Sequence, residues 1–206
     1  MKKEKGFTLA EALIVLVIIG VIAALTVPAV LISTEQNEYK TAFKKAISTI
    51  NEAIQMNIAL NGEGPDVAVT MSTPTDESSL FNMIRQRMSV ISTTSDYSKG
   101  GTSNYAFFTA DGMRFEFPET PSVNGGTFAS GNSECGNPDE GNDPCLIVVD
   151  VNGEKKPNPR AGGGSYKVPD PNSSKSRFYD VYPVIVTDRN AYPYGVVAQR
   201  AFFQAD

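Results

Sequence analysis

The chain has 206 residues, with 18 basic against 23 acidic side chains, 2 cysteines and no histidine. That length, with 41% hydrophobic residues, suits one domain plus an extension and excludes a disordered tail. Without imidazole the commonest general base, zinc ligand and near-neutral pH switch are missing, and a net charge of −5 argues against a nucleic-acid partner held by phosphate neutralisation.

Apolar residues are concentrated at the N-terminus. After Glu11 no charge occurs until Glu35, and the 23 residues from 12 to 34 would span roughly 35 Å as a helix, against about 30 Å of bilayer hydrocarbon. One membrane crossing is predicted. Lys2, Lys3 and Lys5 ahead of the run place the N-terminus in the cytoplasm and the remainder outside. The run is longer than the apolar part of a secretory signal peptide, although Val27-Pro28-Ala29 offers a loose cleavage site. An uncleaved anchor accounts for the length and the charges but not for Glu11, since a carboxylate at the centre of a membrane helix costs about 2.5 to 3.5 kcal/mol and even near an end needs a partner or the headgroups.

Gly6-Phe7-Thr8-Leu9-Ala10-Glu11, after a short basic leader and before a long apolar run, resembles the signal of type IV pilins and type II secretion pseudopilins. The resemblance covers about the first 35 residues. It implies cleavage by prepilin peptidase between Gly6 and Phe7, N-methylation of Phe7, and pairing of Glu11 with the terminal amine of a neighbouring pilin-like subunit during assembly. The chemistry of the pair supports that role independently: cleavage creates an α-amine of pKa about 7.7 to 8 four residues before an acid, and each charge in a low-dielectric setting needs the other. Glu11 bonding within its own subunit, or reaching the headgroups, is the competing reading. Loss of the leader would leave 15 basic and 22 acidic residues, a net of −7.

Pro28 predicts a kink late in the apolar run. Beyond it Tyr39, Phe43, Ala46, Ile47, Ile50, Ala53, Ile54 and Ile58 recur at helical spacing, so a half-buried helix continues to a stop at Asn61-Gly62. The predicted division is a leader at 1–6, a transmembrane and assembly helix at 7–34, its amphipathic continuation at 35–62 and an extracytoplasmic domain at 63–206.

In that domain Thr75-Asp76-Glu77-Ser78 precedes Leu80, Phe81, Ile84 and Met88, a short capped helix. Between residues 104 and 117, Tyr105 to Ala110 and the strictly alternating Met113 to Phe117 flank Asp111-Gly112 and predict an antiparallel hairpin. Residues 146 to 151 read as a central strand, and 179 to 187 and 194 to 203 as two more. The expected fold is α+β, a long helix packed on a small antiparallel sheet. From 118 to 175 the chain holds 9 Gly and 8 Pro, so apart from the strand it reads as loop.

Cys135 and Cys145 bracket a turn-rich stretch; outside the membrane, oxidation would close a loop of about ten residues, contributing roughly 2.5 to 3 kcal/mol. Two separate thiols are the alternative. Asp150, Asn152 and the later Asp180 supply oxygens beside a Gly turn that resemble a Ca²⁺ site, as some pseudopilins have, but the set lacks the distal Glu of an EF-hand, and Asx turns explain the same letters.

The leading reading is therefore a non-enzymatic structural subunit in the bacterial inner membrane or in a cell-surface filament, with prepilin peptidase, other pilin-like subunits, the assembly platform and membrane lipid as partners. The alternative is a membrane-anchored binding module for DNA, glycan or protein that does not polymerise, displaying Lys167, Lys175, Arg177, Phe178, Tyr179 and Tyr182. No catalytic residues are predicted, since no nucleophile elbow, paired acids or phosphate-binding Gly loop stands in a convincing context.

Overall fold

Helix α1 (Leu9–Asn61) is one uninterrupted element of 53 residues that runs through Pro28. The structure, a computed structural model, describes residues 8–65, 75, 77–97, 103–118, 128, 135–153, 155 and 180–203. It divides into two compact units, Met1–Glu38 and Tyr39–Asp206. In the first unit Leu9–Pro28 has a mean hydropathy of 2.7 and none of it is buried, so by length and composition it can cross a membrane.

The second unit is built around the half of α1 that the periodicity marks as amphipathic. Phe43, Ala46, Ile47, Ile50, Ala53 and Ile54 are buried, and Tyr39 and Ile58 lie partly buried at the margins of the core. The spacing puts them on one side of the helix. The Gly62 N–H returns to the Ile58 carbonyl at 2.9 Å, ending the helix at the expected Asn-Gly. Helix α2 (Leu80–Arg85) follows, capped by Ser79, whose hydroxyl accepts from the Asn82 N–H. The expected cap lay at 75–78. Ser79 displaces it because its side chain reaches the third amide of the helix.

Among the described residues six strands form one antiparallel sheet in sequence order: β1 (Val90–Tyr97), β2 (Ser103–Thr109), β3 (Arg114–Pro118), β4 (Cys145–Asp150), β5 (Val181–Val186) and β6 (Ala191–Pro193). The hairpin predicted around Asp111-Gly112 is β2–β3, with Phe107 opposite Phe115 and Tyr105 opposite Phe117. That register puts Phe107, Phe115, Phe117, Val149 and Tyr182 on the face that packs in the main core, and Tyr182 stacks on Phe43 with centroids 4.2 Å apart. Phe81 of α2 meets Phe107 and Phe117 edge-on, so helix and sheet close on an aromatic centre.

The segment 194–203 is corrected from strand to helix: α3 (Gly195–Phe203). Val196-Val197 and Phe202-Phe203 look strand-like in isolation, but the buried residues are Val197, Ala198 and Ala201, a one-and-four spacing that buries a single helical face. Gly195 starts it with φ +79°, a conformation most side chains avoid. Two strands went unpredicted. β1 is rich in Ser and Thr and lacks an apolar alternation, while β6 has three residues and gains its place by pairing with β5.

Candidate functional site

Helix α1 begins with its own polar lock. Thr8 is the last residue before the helix; its backbone N–H and its hydroxyl both donate to Oε2 of Glu11, at 2.9 and 2.7 Å. The Glu11 N–H in turn donates to the Thr8 hydroxyl oxygen at 3.3 Å, and the Ala12 N–H to the Thr8 carbonyl at 3.2 Å. This is a capping box: it satisfies amides that a helix start leaves orphaned, using the one acid of the apolar stretch. Oε1 of Glu11 takes no part in it. Around it Leu9, Leu13, Ile14 and Leu16 are exposed. A polar knot at the head of a bare apolar helix needs a second surface, of lipid or of protein, to cover the rest.

Residues 1–27 match the family model of the prokaryotic N-terminal methylation motif. The chain carries the type IV pilin and pseudopilin signal. No curated protein and no solved structure matches the chain. The motif is that of a precursor processed by prepilin peptidase, and it overlaps the helix that by length and composition can cross a membrane. Gly6 and Phe7, the expected cleavage pair, lie outside the described residues. Thr8 was missed as a functional residue, although Thr-x-x-Glu before an apolar run is the sequence signature of a capping box.

The other predicted sites fall in the second unit. Cys135 and Cys145 are joined as a disulfide, with Cα atoms 4.9 Å apart. Between them residues 138–140 form a 3₁₀ turn.

Asp150, Asn152 and Asp180 are brought to one corner of the sheet. Asp150 ends β4, Asn152 lies in the turn that follows, and Asp180 precedes β5, where its carbonyl accepts the Val151 N–H at 2.8 Å. Oδ1 of Asp150 accepts the Asn152 N–H at 3.3 Å, the bond of an Asx turn. Gly153 completes that turn: φ is +74°, and a Cβ there would stand 2.7 Å from the Gly112 carbonyl oxygen. Among the described residues no three His, Cys, Asp or Glu side chains are arranged to hold a metal ion.

What the corner does hold is buried charge. Arg114 and Glu116 of β3 form an ion pair at 2.5 Å, each under 6% exposed, and Arg114 stands opposite Asp150 across β3–β4. Burial, with Asp180 and then Glu116 adding repulsion, pushes the Asp150 carboxyl up to about 8, against the opposing pull of the Asn152 N–H and Arg114. The same burial, and Asp180, raise the Tyr182 hydroxyl above its ordinary value. Tyr182 is fully buried, so it cannot belong to the surface of the alternative binding module; Lys167, Lys175, Arg177, Phe178 and Tyr179 lie outside the described residues.

Proposed function

We propose that this protein is a pilin-like structural subunit, cut between Gly6 and Phe7, methylated on Phe7, held in the inner membrane by the apolar half of α1, and polymerised through that helix. The match of residues 1–27 to the methylation motif carries the reading. Topology follows from the lysines: the head of α1 faces the cytoplasm and the disulfide-bearing unit lies outside, where oxidation is available.

The capping box refines the role of Glu11. Thr8 occupies one carboxylate oxygen, which lowers the cost of keeping the acid in lipid before assembly. Oε1 remains for the amine of a neighbouring subunit's Phe7, so intrasubunit and intersubunit bonds coexist on one side chain. The Asn152 N–H bond to Asp150 supports the Asx-turn reading of that corner, and this role needs no Ca²⁺. Whether the product is a pilus or a secretion pseudopilus is set by its partners in the assembly machinery.

The test is the mature N-terminus. Mass measurement and N-terminal sequencing of the membrane fraction from cells that contain the peptidase should show N-methylphenylalanine from Phe7; recovery of an intact Met1 chain would refute the proposal.

A further inference from the structure

A cleft of about 500 Å³ opens on the sheet face opposite the main core. Ile185 of β5 and Tyr192 of β6 are cross-strand partners and form its floor, with Tyr192 47% exposed. One wall is the disulfide loop, which presents Asn137, Asp139 and Glu140; the other is the β5–β6 turn, which presents Asp188 and Asn190.

Both walls are held in shape. The Asp139 N–H donates to Oδ1 of Asn137 at 3.0 Å, and the Glu140 and Asn142 N–H groups converge on the Asn137 carbonyl at 3.0 and 3.2 Å, inside the ring closed by Cys135–Cys145. Across the cleft, the Thr187 N–H and hydroxyl both donate to the Asn190 carbonyl, at 2.8 and 3.1 Å. Nε2 of Gln55 donates to the Arg189 carbonyl, fastening that turn to α1.

The lining selects a class of ligand. Three carboxylates, Asp139, Glu140 and Asp188, and one cation, Arg189, line the cleft; Arg189 pairs with Asp188 at 3.5 Å, so the lining is net negative and disfavours an anion. Among the described residues no three His, Cys, Asp or Glu side chains are arranged to hold a metal ion, so the three carboxylates of the lining do not form a metal site. An organic ammonium is donor-only and would engage the carboxylates but not the amide N–H₂ groups of Asn137 and Asn190. A hydroxyl both donates and accepts, and so uses amide and carboxylate together. The aromatic floor then suits the C–H face of a ring, and the volume falls within the roughly 300 to 1,000 Å³ of small-molecule sites.

We infer that this cleft binds a neutral, hydroxyl-rich ring ligand, a carbohydrate, stacked on Tyr192 and hydrogen-bonded by Asn137, Asp139, Glu140 and Asn190. The inference does not depend on polymerisation.

The experiment is saturation-transfer NMR and calorimetry on the full-length oxidised protein in detergent, with N-acetylglucosamine, galactose, mannose and maltose as probes and spermidine as the cationic control. At least one sugar should bind. Tyr192→Ala should weaken it roughly tenfold, equivalent to about 1.4 kcal/mol, and Tyr192→Phe should keep it. Asn190→Ala should also weaken it; both positions are exposed, and an unchanged melting temperature shows that the fold survives. Failure of all four sugars, binding of spermidine alone, or undiminished sugar binding by Tyr192→Ala would each overturn the inference.

Discussion

Thr8 gives both of its donors, backbone N–H and side-chain hydroxyl, to a single oxygen of Glu11. The one acid of the apolar stretch is thus the acid that caps it, with one of its two oxygens engaged inside its own chain. Two substitutions separate the halves. Glu11→Ala should abolish incorporation into filaments while leaving membrane insertion intact. Thr8→Val, which keeps the backbone N–H but loses the hydroxyl, should weaken the helix start by about 1 kcal/mol and reduce incorporation without abolishing it. Crosslinking of membrane and filament fractions reads both; normal incorporation of Glu11→Ala would remove the intersubunit pairing.

Opening the Cys135–Cys145 bridge should cost the second unit roughly 2.5 to 3 kcal/mol, the loop entropy of a ten-residue separation. Denaturant unfolding of the double Cys→Ser variant beside the oxidised protein measures it.

Asn51 of α1 meets the backbone of β6 at both ends of one residue: its Oδ1 accepts the Ala191 N–H at 2.8 Å and its Nδ2 donates to the Ala191 carbonyl at 3.1 Å. A helix side chain thereby completes a strand of three residues. Asn51→Ala strands both backbone groups, and a loss of about 1 to 3 kcal/mol is expected, with β6 amides exchanging faster than those of β4 by hydrogen-exchange NMR.

Asp150 titrates near 8 in the folded chain against about 3.9 when unfolded. Between those values the native state holds a proton that the unfolded state has released, so its contribution to stability is complete below pH 4, falls as pH rises toward 8 and is level above it. Asp150→Asn should flatten that part of the pH profile and raise the melting temperature at pH 8. A wild-type profile with no decline that Asp150→Asn removes would show that the carboxyl is ionised throughout.

The signals legible in the sequence were those a short window carries whole. Twenty-three uncharged residues after a basic leader, the Gly6-to-Glu11 motif, the amphipathic repeat from Tyr39 to Ile58, the Asp111-Gly112 hairpin and the cysteine pair depend on neighbours within a turn or two, and no packing partner is needed to see them.

Tertiary structure decided the rest. Residues 195–203 are helical because burying Val197, Ala198 and Ala201 on one face outweighs the strand preference of their β-branched and aromatic neighbours. β6 exists because β5 and Asn51 satisfy its backbone. The pairing of β3 with β4 buries Arg114, Glu116 and Asp150 together, and the strand register that sets Arg114 opposite Asp150 joins residues thirty-six positions apart in the chain. Local pattern specifies which segments leave water; only the fold specifies what each side chain meets when it does.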